Sequence, residues 1–464
     1  WSRGPDMAAG RWYPSVTPLA NGEMLITEGG PDTPEVRRTD GTLRTLSTAA
    51  LNLPLYPWLD VAPDGRVFYS GPDQTMRKLD TAGGGSWETF ATPRDSINRD
   101  YGSHAVYAIG KTLVAGGGFS SNTARVIDTN GASPVVSATA PMAFGRRQHN
   151  LTLLADGSVL ATGGNSTGAP LIAMDSGVYN AERWNPATGQ WTTLAAQAVT
   201  RQYHSTALLL PDGRVLSSGG GICGTCDQVG YLAKNAEVFT PPYSSKKDGS
   251  GELAPRPVIT DAPGTVGYGT SFQIATPNAA SIQKVGLIRL GSQTHSVEME
   301  QRYVPLLFTA GVGSLTADVP ANMNTAVPGV YMLFIVDSSG VPSVARMVQL
   351  DPAAPPRPPP PPPPPDQLPS VSLTSPANNA RFTSPAKVSL AATASDADGT
   401  VIRVEFFNGA TKVGEDTTAP LHGSVEHRRR RHVHAHCTGD GQRRRNCAQQ
   451  PGHDHHRQEA LNAG

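Results

Sequence analysis

One phrase of sequence, repeated along the first half of the chain, restricts the fold more than any bulk property does. ANGEMLITEGG at 20–30, PDGRVFYSG at 63–71, GKTLVAGGG at 110–118, ADGSVLATGG at 155–164 and PDGRVLSSGG at 211–220 each join a turn to a short strand that ends on glycine. Asp-Gly or Asn-Gly supplies the positive φ of a hairpin turn, the alternating residues make the strand, and the glycine pair lets another backbone come close. From Gly29 to Gly71, Gly116, Gly163 and Gly219 the steps are 42, 45, 47 and 56 residues, the period of a four-stranded propeller blade. AERWNPATGQW at 181–191 and AEVFTPPY at 236–243 read as outer strands whose aromatics pack between neighbouring blades. The class is all-β, with about five blades over residues 1–252, and the 49 Gly and 41 Pro agree with many short strands joined by tight turns.

The rhythm then changes. Over residues 253–351, segments such as VGLIRLG and GVYMLFIVDSSGVPSVARMVQL alternate with turn signals, the length and spacing of an immunoglobulin-like sandwich. Residues 352–368 form a Pro-rich linker in which Pro358 to Pro365 impose stiff polyproline II. Residues 369–420 resemble part of a bacterial Ig-like repeat of the kind carried by secreted enzymes. From 421 to 464 the composition breaks, with eight of the 12 histidines between His422 and His456, beside Arg428 to Arg431 and Arg443 to Arg445. A metal-binding or nucleic-acid tail is one reading. A shifted reading frame is favoured over it. Plausible codons for Ser424 to Cys447, read one base later, give AWNIAAAGTYTLTARATDNAGAT, and His453 to Gln458 give TTITV, the alternating strands that the second Ig-like domain lacks. On that reading the tail is disordered and this partial domain is missing its last strands.

Lys+Arg and Asp+Glu both number 38, so no net charge points to nucleic acid or an anionic membrane. No apolar run approaches the roughly 20 residues that span a bilayer. A small neutral or weakly polar partner fits better. Cys223 and Cys226, in GICGTC, could be a redox motif, half a zinc site or a local disulfide. Without a βαβ context or a second CxxC, the disulfide is favoured, and with it an oxidising compartment.

Four histidines lie outside the tail: His104, His149, His204 and His295. Tyr13 lies eight residues before Asn21 and Tyr203 nine before Asp212, so successive blades present similar positions, which converge on a propeller's axial channel. GRWYPSVTPLANG, RQYHSTALLLPDGRVLSSGGGICGTC, LIRLGSQTHSVEMEQRYVPL and GVPSVA at 340–345 together resemble the galactose oxidase and glyoxal oxidase family, kelch-propeller copper-radical oxidases, over residues 1–351. The resemblance implies a copper ion held by Tyr13, the tyrosine that becomes a radical, by Tyr203, the axial tyrosine, and by His204 and His295. It implies oxidation of a primary alcohol or aldehyde, a sugar or small carbonyl compound, by O2 to a carbonyl or acid product and H2O2. The setting implied is a secreted or cell-surface bacterial protein working as a monomer. The donor types suit this chemistry: imidazole and phenolate fit tetragonal Cu(II). Alcohol oxidation removes two electrons while copper changes by one, so a redox-active phenol supplies the second and the axial tyrosinate serves as general base.

The chain departs from the family twice. The family's radical tyrosine is thioether-linked to a cysteine from an earlier blade, and no Cys precedes Cys223 here. That cysteine, the further blades of a seven-bladed ring and the start before Trp1 are read as lost upstream, so the fragment itself can be inactive. The tryptophan that stacks over the linkage in galactose oxidase is missing from GGPDTPEV at 29–36, which tilts the reading away from galactose. His149, in GRRQHNLTLLADG, occupies a similar pre-turn position and is a candidate for the substrate mouth, whereas His104 reads as structural and Arg147 and Gln148 as weaker candidates. Tyrosines on strands are ordinarily packing residues. Adjacent Tyr203 and His204 would point to opposite faces of a regular strand, so both reach one metal only where the backbone is irregular. The competing function is a non-catalytic kelch-propeller module that binds carbohydrate or adheres to surfaces, with glycans as partners.

Overall fold

The repeated Asp-Gly and Asn-Gly turns are built by the side chain as well as by the glycine. Asn21, Asp64, Asp156 and Asp212 each accept, through Oδ1, the backbone N–H of the residue two ahead at 3.0–3.1 Å, so every turn is closed locally before any tertiary contact forms. Gly157, at φ +84°, then adopts a backbone that other residues resist. The computed structural model describes residues 3–168, 171–222, 231–354, 369–377, 386–396, 401–408, 411–417, 421–427 and 433–439.

These turns organise five successive antiparallel sheets. Blade 1 runs through Ser15–Pro18, Met24–Thr27, Glu35–Arg37 and Leu43–Thr45. Blade 2 uses Trp58–Val61, Val67–Gly71, Arg77–Asp80 and Ser86–Thr89. Blade 3 uses Ser103–Ala108, Lys111–Ala115, Ala124–Asp128 and Val135–Ala138. Blade 4 uses Arg147–Leu153, Val159–Asn165, Asn180–Asn185 and Gln190–Ala196. Blade 5 shows three strands among the described residues, Ser205–Leu209, Val215–Gly219 and Ala236–Phe239. The expected outer aromatics do bridge blades: Trp184 and Trp191 of blade 4 donate their indole N–H groups to Thr139 Oγ1 and the Ala140 carbonyl, and Trp87 of blade 2 donates to Ala49 O, each at 2.9 Å.

A buried arginine ahead of most blades is a feature that the sequence reading passed over. Arg146 lies wholly inside, where it bonds Glu182 Oε2 at 2.6 and 3.1 Å and the Gly163 carbonyl at 2.9 Å. Arg99 does the same with Asp95 and Gly116 O, Arg201 with Glu237 and Gly219 O, and Arg11 with Glu35 and Glu28 O. The fork geometry of guanidinium lets one side chain tie a strand carbonyl to a carboxylate of the same blade. The conserved geometry explains the glycine pair, because a Cβ on Gly163 would collide with the Arg201 carbonyl oxygen, and the next residue, Gly164, donates its N–H to that carbonyl at 2.7 Å.

After the blades comes a sandwich with an apolar core of Phe272, Ile274, Val285, Leu287, Leu315, Leu333, Ile335 and Val348. One sheet orders Thr265–Val266, Arg346–Leu350, Gly329–Asp337, Ile282–Arg289 and Tyr303–Leu306, and the other Ser271–Ala275, Ser314–Asp318 and Phe308–Ala310. A small hairpin, Gln293–Thr294 with Val297–Glu298, leaves this sandwich and is held on the first strands of the blades by amides. Gln293 Oε1 accepts the Ala207 N–H at 2.6 Å, and Gln301 both accepts from Leu153 N and donates to Leu151 O at 2.8 Å.

Residues 361–464 form a separate unit. It carries two three-stranded sheets, Ser370–Ser375, Ala386–Ser395 and Leu421–His427 in one, and Thr411–Asp416, Val401–Asn408 and Val433–Gly439 in the other. Val388, Leu390, Ala392, Val404 and Phe406 fill the space between them. Two of these strands, Leu421–His427 and Val433–Gly439, stand within the stretch that the sequence reading took for a disordered tail. Backbone pairing with an open sheet edge requires no particular side chains, and VHAHCTG itself alternates at the period of a strand. Residues 440–464 lie outside the described residues.

Candidate metal centre

Each blade begins with a residue whose backbone is left-handed. Tyr13, Tyr56, Gln148 and His204 have φ of 61°, 50°, 58° and 64°, and each lies eight residues ahead of its turn residue, Asn21, Asp64, Asp156 and Asp212. Tyr101, at φ 56°, opens blade 3 in the same way. Non-glycine residues rarely occupy this region, and a run of them signals a backbone held against its preference by surrounding structure. Backbone bonds do part of the holding, with Tyr56 N donating to Tyr13 O at 3.0 Å and Gln148 N to Tyr101 O at 2.7 Å.

At His204 this bend is the irregularity that the sequence demanded. It lets Tyr203 and His204, adjacent in the chain, turn toward one place, with ring centroids 4.0 Å apart. The hairpin from the sandwich brings His295, itself at φ 50°, to 4.5 Å from the His204 ring, 4.6 Å from Tyr13 and 5.1 Å from Tyr203, measured between ring centroids. The Tyr13 and Tyr203 hydroxyls are 3.1 Å apart. All four residues singled out from the sequence therefore meet.

The two imidazoles are prepared on their outer sides. His204 Nδ1 is 2.9 Å from the Gly221 carbonyl and donates to it, which leaves Nε2 with a free lone pair. His295 Nδ1 pairs with Thr294 Oγ1 at 2.6 Å, and its Nε2 is buried with no hydrogen-bond partner. Burial, with the nearby His204 ring, pushes the His295 pKa down to about 4, so the ring is neutral and able to donate electrons at pH 7. Burial and the Tyr13 hydroxyl push the Tyr203 phenol well above its ordinary value, so a phenolate there calls for a cation beside it. Among the described residues there is no group of three or more His, Cys, Asp or Glu side chains that could hold a metal ion. A metal in this site would be bound by two nitrogens and two phenol oxygens, a donor set that suits Cu(II).

A cavity of about 210 Å³ opens beside this cluster, lined by Tyr13, Tyr56, Tyr101, Tyr203 and His295 together with Trp58 and Pro72. Tyr56 and Tyr101 were missed by the sequence reading. Tyr56 stacks on Tyr13 with centroids 4.9 Å apart, and Tyr101 meets Tyr203 edge-on at 5.9 Å. The signal was present, since Tyr56 has the same eight-residue offset to its turn as Tyr13. Tyr13 also stacks on Trp12 at 5.1 Å, so it has aromatic neighbours although GGPDTPEV holds no tryptophan.

His149 is corrected by the same offset. It lies seven residues before Asp156, and a shift of one along a strand turns a side chain to the opposite face. Gln148 takes the left-handed position instead, while His149 is fully buried and is not among the residues lining the cavity. Desolvation, reinforced by Arg146 and Arg99, lowers its pKa to about 3, so it is a neutral packing residue. Cys223 and Cys226 lie outside the described residues. No helix among the described residues is long and apolar enough to cross a membrane.

Comparison with known proteins agrees with this geometry. Residues 256–350 match the galactose oxidase-like early set domain, and residues 369–432 match a bacterial Ig domain. Galactose oxidase from Gibberella zeae is 33% identical over 389 residues, which cover 75% of this chain and 56% of that protein. An aldehyde oxidase, GLOX, from Vitis pseudoreticulata is 28% identical over 75% of this chain and 73% of its own length. The structure of a fungal alcohol oxidase in complex with copper superposes with a TM-score of 0.69 at 28% identity, over 74% of this chain and 76% of that one. The chain thus spans little more than half the length of the galactose oxidase it matches. In its sandwich domain, its sequence relatives and its superposition on a copper-containing oxidase, this chain is galactose oxidase-like.

Proposed function

We propose that this chain is the greater part of a copper-dependent oxidase that converts a primary alcohol or an aldehyde, with O2, to the carbonyl or acid product and H2O2. The observation that carries the reading is the meeting of Tyr13, Tyr203, His204 and His295. His204 and His295 would hold the metal through Nε2, and Tyr13 and Tyr203 through their phenol oxygens. A copper ion bound there supplies one-electron redox chemistry and a place for the substrate oxygen. Tyr203, once ionised, takes the hydroxyl proton of the substrate as general base. The Tyr13 ring serves as the second one-electron centre, its charge and spin spread toward the stacked Tyr56 and Trp12 rings. The substrate carbon loses two electrons and one hydrogen, the hydroxyl loses the other, and O2 accepts both to become H2O2, so RCH2OH + O2 gives RCHO + H2O2, and an aldehyde reacts as its hydrate, RCH(OH)2 + O2 giving RCOOH + H2O2.

The relatives named as galactose and aldehyde oxidases support this class of substrate. A thioether between Tyr13 and a cysteine is part of the proposal for the longer parent protein, since the first cysteine of this chain is Cys223. We read the parent as an exported, monomeric bacterial enzyme, with Cys223 and Cys226 joined as a local disulfide. The test is oxygen uptake by the copper-loaded parent protein with a panel of primary alcohols and aldehydes. One H2O2 is expected per carbonyl formed, with turnover abolished in Tyr203→Phe. Absence of peroxide with every substrate, or unchanged turnover in Tyr203→Phe, would sink the proposal.

A further inference from the structure

Behind the cavity wall lies a cluster of ionisable side chains that the chemistry above does not use. His104, Asp60 and Glu298 are 1%, 8% and 3% exposed. His104 Nε2 is 3.4 Å from Asp60 Oδ2, an ion pair when the ring is protonated, and the imidazole lies parallel to the Trp58 indole with centroids 5.2 Å apart. Trp58 and Val297 line the cavity on their other side. Glu298 comes from the hairpin that carries His295, and its Oε1 accepts the N–H groups of Ser292, Glu300 and Gln301 at 2.6, 3.0 and 3.2 Å. That single carboxylate therefore ties both ends of the hairpin together.

Burying such groups is costly unless they are paired. Burial raises the Glu298 carboxyl pKa, while its three N–H donors and His104 favour the charged form. The imidazole from blade 3 meets the blade 2 carboxylate at 3.4 Å, and the hairpin strand that carries Glu298 packs against the blade 3 strand that carries His104. Asp60 Oδ2 and both His104 ring nitrogens lack well-directed hydrogen bonds within the protein, so their close approach and the stacking of His104 on Trp58 are the contacts that place the imidazole.

Resting on the copper reading above, we propose that His104 is a positioning residue: it draws Asp60 and Glu298 together and thereby latches the His295 hairpin to blades 2 and 3. The latch sets where His295 stands relative to His204 without touching metal or substrate. Residues that orient ligands from behind ordinarily change metal affinity by about 10–100-fold when removed.

The test uses the full chain as wild type, His104→Ala and Asp60→Asn. Hydrogen exchange is followed at the amides of Ser292, Glu300 and Gln301 against those of Lys111–Ala115 in blade 3, with Cu(II) affinity measured in parallel. His104→Ala is expected to speed exchange at the three hairpin amides selectively and to weaken copper binding about tenfold. Asp60→Asn should give a smaller change of the same pattern. Hairpin and blade amides that respond alike, or not at all, would overturn the latch. If His104→Ala does not fold, the exchange pattern of Asp60→Asn decides. A wild-type chain that binds no copper defeats the copper reading, while the exchange data still judge the latch by themselves.

Discussion

The blades and the sandwich of residues 253–351 are both antiparallel β-structure, yet they are held together differently. Inside the blades the largest fully buried side chains include Arg94, Arg99, Arg146, Arg201 and Lys78, and charge pairs and backbone carbonyls take up most of their N–H groups. The sandwich is filled mainly by aliphatic and aromatic side chains, with Arg289 and Arg302 its buried cations. Among the described residues, left-handed non-glycine backbone is confined to the blades and to the hairpin carrying His295. The difference teaches where chemistry can be built. A framework of directional polar contacts can hold backbone against its preference, whereas an apolar core fixes shape but aims few polar groups.

Breaking a blade at its polar hub should produce the largest loss. Arg146→Ala leaves Glu182 buried without its partner, and a loss of about 3–5 kcal/mol is expected in denaturant unfolding. The double variant Arg146→Met with Glu182→Leu should be less damaging than the single one, since it removes both charges. A single variant that unfolds like wild type would show that the hub carries no stability. In the sandwich, Leu333→Ala removes wholly buried apolar volume and should cost about 3 kcal/mol.

Acid should separate the two regions next. Burial alone would raise the Asp95 carboxyl, but Arg99 and Arg94 outweigh it and hold the pKa below the ordinary value of 3.8. Its contribution is therefore fully present above the ordinary carboxylate range and lost as the pH falls below 3.8 toward the folded value. Amide exchange measured from pH 6 to pH 3 should show blades 2 and 3 loosening before the sandwich core. Loss of both together would contradict the distinction. The smallest effect belongs to a single turn: Asn21→Ala deletes two exposed side-chain bonds, from Glu23 N and to Glu23 Oε2, and should cost about 1 kcal/mol, read as a small shift of the unfolding midpoint.

Much of this was legible in the sequence because blade turns are local. The five turn-and-strand phrases announced five sheets, and Tyr13, Tyr203, His204 and His295 could be picked out through the family resemblance. Tyr56 and Tyr101 were less visible because an ordinary strand tyrosine looks the same, and only the eight-residue offset from the turn separates them. The same offset would have chosen Gln148 over His149. Three of the four arginine hubs escaped because their carboxylate partners lie 24 to 36 residues away in the chain, as with Arg11 and Glu35 or Arg146 and Glu182, whereas Arg99 and Asp95 are only four apart. The strands at Leu421–His427 and Val433–Gly439 escaped because unusual composition drew attention away from their alternation.

The most direct measurement is Cu(II) titration of the full chain followed by electron paramagnetic resonance. A single tetragonal Cu(II) per chain, with coupling to two nitrogens, is the predicted result, and His204→Ala and His295→Ala should each remove one of those couplings or abolish binding. No bound copper, or a spectrum identical in wild type and both variants, would contradict a site made of these two imidazoles and two phenols.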